Sequence, residues 1–243
     1  GREEPITAPP RPYQYPRLSP DGAQIALDIL EENRDIWVWD LARGTLTRLT
    51  FDPAPDLAPV WTPDGRRIIF SSDRAGISNL YWQPANGTAD AERLTQSPNR
   101  HNAAAVTPDG TRVVFHENKG PDISLMALAL AGSRQVQPLL QNSFVNENAA
   151  ISPDGRWLAY ESNASGRDEI YVRPFPDVGT GQWLISAAGG EQALWTRNGR
   201  ELCYRTPDGA VMGVSVDAGP AFRTVTPKQL IDARYYAGTS GPR

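Results

Sequence analysis

Only one cysteine and two histidines occur among the 243 residues. A lone Cys203 excludes an internal disulfide framework and a cysteine-built zinc site, and two histidines exclude a histidine-rich metal centre. Basic charge is also scarce. The 24 Lys and Arg residues face 28 Asp and Glu, and the net charge of −4 argues against a nucleic-acid footprint. The longest apolar stretch, near Ser124–Ala131, is far shorter than the ~18 residues of a membrane span, so no span is expected. Gly1–Pro10 lacks the basic-then-apolar pattern of a signal peptide. Helical periodicity is missing throughout, and so is the G-x-S-x-G nucleophile elbow.

What is abundant is turn chemistry, with 22 Pro and 21 Gly. The tetrapeptide [S/T]-P-D-G recurs at Ser19–Gly22, Thr62–Gly65, Thr107–Gly110 and Ser152–Gly155, and a degenerate copy occupies Thr196–Gly199. The third residues are Asp21, Asp64, Asp109, Asp154 and Asn198, a period of 43–45. That period fits a four-stranded propeller blade. In each turn Pro presets φ, Asp bonds its own backbone and Gly accepts positive φ, which makes a tight reversal between strands. A further P-D-G at Pro207–Gly209 is out of phase and reads as an ordinary hairpin turn.

After each turn comes a short strand that is apolar on both faces: Ile25–Leu27, Ile68–Phe70, Val113–Phe115, Leu158–Tyr160 and Leu202–Tyr204. Such strands pack between neighbouring sheets. Third strands follow at Asp35–Trp39, Asn79–Trp82, Asp122–Leu125, Glu169–Val172 and Ala210–Val214. Fourth strands end in Arg48–Thr50, Arg93–Thr95, Pro138–Leu140 and Leu184–Ser186, with Lys228–Leu230 in the last blade. The expected fold class is all-β: a propeller of about five four-stranded blades in a single domain over 1–243. The blades fall at 13–50, 56–95, 101–140, 146–186 and 190–231. Glu3–Thr7, within 1–10, reads as the orphan outer strand of a preceding blade. Trp37, Trp39, Trp61, Tyr81, Trp82, Trp157, Trp183 and Trp195 recur at blade positions and read as inter-blade packing.

The run W-[ST]-P-D-G…I-x-F-x-S-x-R-x-G…[DN]-[IL]-Y…R-L-T, best seen over Trp61–Thr95, resembles TolB-like, WD-type propeller repeats. The resemblance extends from about Tyr13 to Leu230. It is similar to propellers that follow the kinase domain and membrane segment of bacterial serine/threonine kinases, to periplasmic TolB, and to propellers of prolyl oligopeptidase-like peptidases. It implies a propeller fold and a periplasmic or extracytoplasmic region of a larger bacterial protein. The sequence itself carries no glycine-rich phosphate loop and no H-R-D.

Cys203 reads as a packed thiol on its strand, and His116 as a polar rim residue. One constellation remains. In a propeller the first strand of each blade runs along the central channel, and its opening residues line one mouth. Counted back from each turn Ser/Thr, the sixth, fifth and fourth residues collect Tyr13, Asp56, His101, Asn102, Asn146, Glu147, Asn148 and Glu191. This ring reads as a ligand-binding mouth, with a water-filled polar channel as its simplest form. Its oxygen donors Asp56, Asn102, Glu147 and Asn148 would suit a hard cation such as Ca²⁺.

The leading functional reading is a non-catalytic propeller that binds a protein or small-molecule ligand at the channel face, with no cofactor. The alternative is a metal-dependent hydrolase of esters, lactones or phosphoesters, with the cation held by those oxygen donors, Glu147 assisting and His101 as base. Open blade edges lead to two further expectations: a closed five-blade ring or a homodimer that buries the gap.

Overall fold

The computed structural model describes residues 6–218 and 222–232. No helix occurs among them, and the strands form five antiparallel sheets, one per repeat. Blade one comprises β1 (Tyr13–Leu18), β2 (Gln24–Ile29), β3 (Asp35–Asp40) and β4 (Thr45–Arg48). Blade two comprises β5 (Asp56–Trp61), β6 (Arg67–Ser72), β7 (Asn79–Pro84) and β8 (Glu92–Arg93). Blade three comprises β9 (Arg100–Val106), β10 (Arg112–Lys119), β11 (Asp122–Ala129) and β12 (Val136–Leu140). Blade four comprises β13 (Asn146–Ile151), β14 (Trp157–Ser162), β15 (Glu169–Pro174) and β16 (Trp183–Leu184). Blade five comprises β17 (Glu191–Trp195), β18 (Glu201–Arg205), β19 (Val211–Ala218), β20 (Phe222–Thr224) and β21 (Lys228–Ile231). This is the all-β, propeller-type architecture that the repeat predicts.

The repeated turn behaves as its chemistry requires. In the second blade the Gly65 amide donates to Thr62 O at 2.9 Å, Thr62 Oγ1 donates to Asp64 Oδ1 at 2.6 Å, and that carboxylate accepts the Arg66 amide at 3.0 Å. Gly65 has φ +67°, a region closed to most L-residues. The same hydroxyl-to-side-chain bond recurs at Ser19–Asp21, Thr107–Asp109, Ser152–Asp154 and Thr196–Asn198. The aspartates of the repeat are thus turn residues.

A second recurring device closes three of the blades at the opposite end. Thr50, Thr95 and Ser186 follow the fourth strands, and their hydroxyls accept the amides of Ile36, Leu80 and Ile170 at 2.8–2.9 Å. Each hydroxyl in turn donates to the side chain that opens the third strand: Asp35, Asn79 or Glu169. In blade three the equivalent position is Leu140, which has no hydroxyl to make this clasp.

The protein forms two compact units: Gly1–Lys119 with Met126–Gln137, and Gly120–Leu125 with Pro138–Arg243. In the first unit the second strands pack against the following blade. Ala26 lies with Trp61, Ile68 and Phe70, and Ile69 lies with Val113 and Phe115. In the second unit Ala159, Ile170 and Val172 meet Trp195, Leu202 and Tyr204 by the same rule. Two-sided burial explains why consecutive residues of these strands are apolar.

Three features differ from the sequence expectation. Ile6 and Thr7 carry no strand, and Glu3–Pro5 of the proposed orphan strand lie outside the described residues. β19 continues beyond Val214 and pairs twice, with β21 at its start and with β20 at its end. Phe222 of β20 then enters the second unit's core, with ring centroids 4.8 Å from Trp157 and 5.1 Å from Trp183. Finally, Cys203 is only half-buried, whereas its counterparts Ala26, Ile69, Val114 and Ala159 are fully buried.

Candidate functional site

The first two strands of each blade pair one residue of each strand at the same level: Gln14 with Asp28, Leu57 with Ser71, Asn102 with His116, Glu147 with Glu161, and Glu191 with Arg205. Directly opposed residues share a face, so each pair presents two side chains together. The following residue is left-handed in four blades, with φ of 47° at Tyr15, 53° at Ala58, 52° at Asn148 and 54° at Gln192. Each marks a bulge in its ladder, which re-aims the side chains beside it.

The entries of three first strands, β5, β9 and β17, are held by the preceding blade. The Ala58 amide donates to Asp28 Oδ1 at 3.0 Å, the Ala103 amide to Ser71 Oγ at 3.0 Å, and the Gln192 amide to Glu161 Oε2 at 3.2 Å. One polar side chain therefore fixes how the next first strand enters. None of Tyr15, Ala58 and Gln192 is a residue type that announces positive φ. Sequence reasoning missed Asp28, Ser71 and Glu161 for a related reason: they sit inside apolar second strands, and their partners are backbone amides about 30 residues away.

The proposed mouth residues divide into two groups. Asp56, His101 and Asn146 are buried and engaged within their own surroundings. Both carboxylate oxygens of Asp56 accept from Arg74 Nη2, at 3.0 and 2.9 Å, and burial raises its pKa against the pull of Ser72 and Arg74. His101 Nδ1 lies 3.0 Å from Thr95 Oγ1 and its Nε2 lies 3.3 Å from Glu117 Oε1. Burial lowers the His101 pKa despite that carboxylate. Asn146 donates to the carbonyls of Ile123 and Phe144 and accepts from Ser162. Tyr13 donates its hydroxyl to Pro9 O at 2.6 Å.

The second group stands on the paired positions. In the second unit Glu161 accepts Asn148 Nδ2 at 2.8 Å, and Glu147 lies opposite it in the ladder. Burial drives the Glu161 pKa up to about 7, the carboxylates of Glu147 and Asp168 push the same way, and the Asn148 and Gln192 bonds oppose them. One blade later the pair is complementary instead: Arg205 donates to Glu191. In the first unit Asn102 faces His116, whose pKa falls to about 4 through burial and then through the charge of Arg17. No cluster of three or more His, Cys, Asp or Glu side chains able to hold a metal occurs among the described residues.

Against known proteins, a family model described as the TolB beta propeller domain matches residues 2–173. The Tol-Pal system protein TolB of Helicobacter pylori is 30% identical over 78 residues, covering 32% of this chain and 19% of the relative. The matched stretch thus spans about a fifth of that relative's length. Among solved structures, the TolB of Acinetobacter baumannii superposes with a TM-score of 0.72 at 23% identity, covering 92% of this chain and 56% of that one. The TolB-assigned protein of Agrobacterium tumefaciens gives 0.75 at 19% identity, with coverages of 91% and 83%. At these identities the similarity is one of fold.

Proposed function

The chain belongs to the TolB β-propeller domain family, and from that premise we propose that it is a non-catalytic recognition module of a larger, extracytoplasmic bacterial protein, as the kinase-associated and TolB resemblances suggest. The observation that carries this reading is the paired level of the first two strands, taken blade by blade. The ladder level that is Leu57–Ser71 in blade two becomes Asn102–His116 in blade three and Glu147–Glu161 in blade four. The scaffold around that level repeats, while the chemistry displayed on it changes from blade to blade. That pattern suits recognition of an irregular partner better than a shared structural task.

The opposed carboxyls of Glu147 and Glu161 support a second reading, in which a divalent cation is held beside Asn148 and assists hydrolysis. In that reading Asp56 and His101 contribute less than the sequence suggests, because Arg74 occupies the one and Thr95 and Glu117 the other.

Site-specific photo-crosslinking tests the recognition reading. A benzoylphenylalanine replacing Asn102 or Glu147 in the protein expressed in its host is expected to give discrete adducts that an excess of the unmodified protein suppresses. The same probe at exposed Thr88, in the β7–β8 connection, is expected to give none. Adducts of equal yield at Thr88, or none at either paired position, would overturn the proposal.

A further inference from the structure

Six carboxylates are buried among the described residues: Asp28, Asp35, Asp56, Glu117, Glu161 and Glu169. Five of them have a basic side chain of the protein beside them. Arg34 lies 2.6 Å from Asp28, Arg48 2.7 Å from Asp35, Arg74 2.9 Å from Asp56, Lys119 2.7 Å from Glu117 and Arg167 2.6 Å from Glu169. Glu161 is the exception. It is 2% exposed, and no basic side chain pairs with it among the described residues.

The two oxygens of Glu161 are used unequally. Oε2 accepts from Asn148 Nδ2 at 2.8 Å and from the Gln192 amide at 3.2 Å, while no hydrogen bond reaches Oε1 among the described residues. Directly opposite in the ladder stands Glu147, so a second carboxyl group shares the face of Glu161. Glu147 and Asn148 are only half-buried, so this level is not sealed from solvent. One blade later the same level carries its own cation, with Arg205 donating to Glu191. Resting on the recognition reading, we infer that Glu161 and Glu147, with Asn148 beside them, form a site for an arginine or lysine side chain of the bound protein.

The donor and acceptor balance selects this class. A hard metal ion takes six to eight oxygens, whereas here two N–H donors already converge on Glu161 Oε2. A guanidinium or ammonium brings N–H donors of its own and needs only the few acceptors that the two glutamates leave open. It is also the partner that the chain itself places on each of its other buried carboxylates. Without such a cation Glu161 keeps a proton more readily than an ordinary glutamate, because burial and then the charge of Glu147 oppose its ionisation. Binding of the basic group therefore displaces that proton.

The Asn148 side-chain and Gln192 backbone N–H groups both bond Glu161, so their NMR signals read the site directly. The intact 243-residue protein is titrated at pH 8 with four probes: N-acetyl-arginine amide, N-acetyl-lysine amide, the uncharged N-acetyl-citrulline amide, and Ca²⁺. The expected result is saturable movement of both signals with the arginine probe, the lysine probe or both. Citrulline and Ca²⁺ should leave them in place, and the Ala58 amide, bonded to Asp28, should not move with any probe. Response to one basic probe alone assigns a guanidinium or an ammonium. Glu161→Gln should weaken binding at least about tenfold, as loss of a charged hydrogen bond does, with an unchanged Ala58 amide reporting an intact fold. In the wild type, affinity should fall about tenfold from pH 8 to pH 6 as Glu161 takes up its proton near pH 7, and Glu161→Gln should remove that dependence.

The proposal is overturned if neither basic probe moves these signals, if citrulline moves them as far, if Ca²⁺ binds and the basic probes do not, or if Glu161→Gln leaves affinity intact. Crosslinks at Glu147 with silent basic probes would remove the basic-side-chain assignment and leave the recognition reading standing. Absence of crosslinks at both Asn102 and Glu147, with the basic probes still binding, would instead remove the recognition reading and leave a cation site.

Discussion

Trp61→Ala and Trp195→Ala are each expected to destabilise the protein by roughly 3–5 kcal/mol, the range for truncating a large buried aromatic. Both rings sit just before the repeated turn and are 7–8% exposed. Each spans an interface between consecutive blades within its own unit. Trp61 packs among Ala26, Ile36 and Val38, and Trp195 among Ala159, Ile170 and Val172. Each also donates its indole N–H to the preceding first strand, Trp61 to Arg17 O at 2.9 Å and Trp195 to Ala150 O at 3.2 Å. Phe at either position should recover most of the packing and leave a deficit of about 1 kcal/mol for the lost hydrogen bond. Urea unfolding measures both steps. A loss below about 1 kcal/mol for Trp→Ala would show that the blades do not share this interface.

Glu161→Gln is expected to stabilise the protein at pH 8 by up to about 4 kcal/mol and to change little at pH 4. The folded-state pKa of Glu161 is about 7, above the ~4.3 of an unfolded glutamate. Between those values the folded state keeps a proton that the unfolded state has released, so this group's contribution is present at low pH and is lost as pH rises to 7. Each pKa unit is worth about 1.4 kcal/mol. Gln retains an oxygen for the Asn148 and Gln192 donors and cannot ionise beside Glu147 and Asp168.

His116 works in the opposite sense. Its folded pKa of about 4 lies below the ~6.5 of an unfolded imidazole, so stability is lost as pH falls from 6.5 towards 4. In a cooperative transition the two slopes largely cancel between about pH 4.5 and 6.5. Glu161→Gln should therefore expose a rise of roughly 3 kcal/mol from pH 4 to 6.5, and His116→Asn a fall over the same interval. Chemical denaturation at stepped pH reads both. A flat profile for Glu161→Gln would mean that His116 is not held out of water as described, and a flat profile for His116→Asn would say the same of Glu161.

The architecture was legible because its signals are local. A P-D-G turn carries its own φ preset, its own acceptor and its own glycine, and a period of 43–45 repeats it. The strand pattern followed from two-sided burial. What escaped depends on contacts remote in sequence. β20 is three residues long, and it is held through Phe222 and three Trp rings rather than by any pattern of its own. The bulges at Tyr15, Ala58 and Gln192 take φ values their residue types disfavour, and for Ala58 and Gln192 a side chain from the previous blade holds the backbone amide.

The candidate site shows the same division. Counting back from the turn picked Asn102, Glu147, Asn148 and Glu191, which lie on first strands at or beside the paired level. Counting could not reveal that Asp56, His101 and Asn146 turn inward to partners such as Arg74, Thr95 and Ser162. Nor could it bring in His116 and Glu161, which owe their chemistry to their surroundings and to neighbours on other strands.

The central claim is that these polar positions recognise a ligand and do not turn one over. Incubation of the purified protein with chromogenic esters, lactones and phosphoesters, with added Ca²⁺ and separately with excess chelator, tests it most directly. The expected result is hydrolysis at the uncatalysed rate under both conditions, in the wild type and in Glu147→Gln alike. Turnover that chelator suppresses and Glu147→Gln abolishes would contradict the claim and make the Glu147–Glu161 pair the heart of an enzyme.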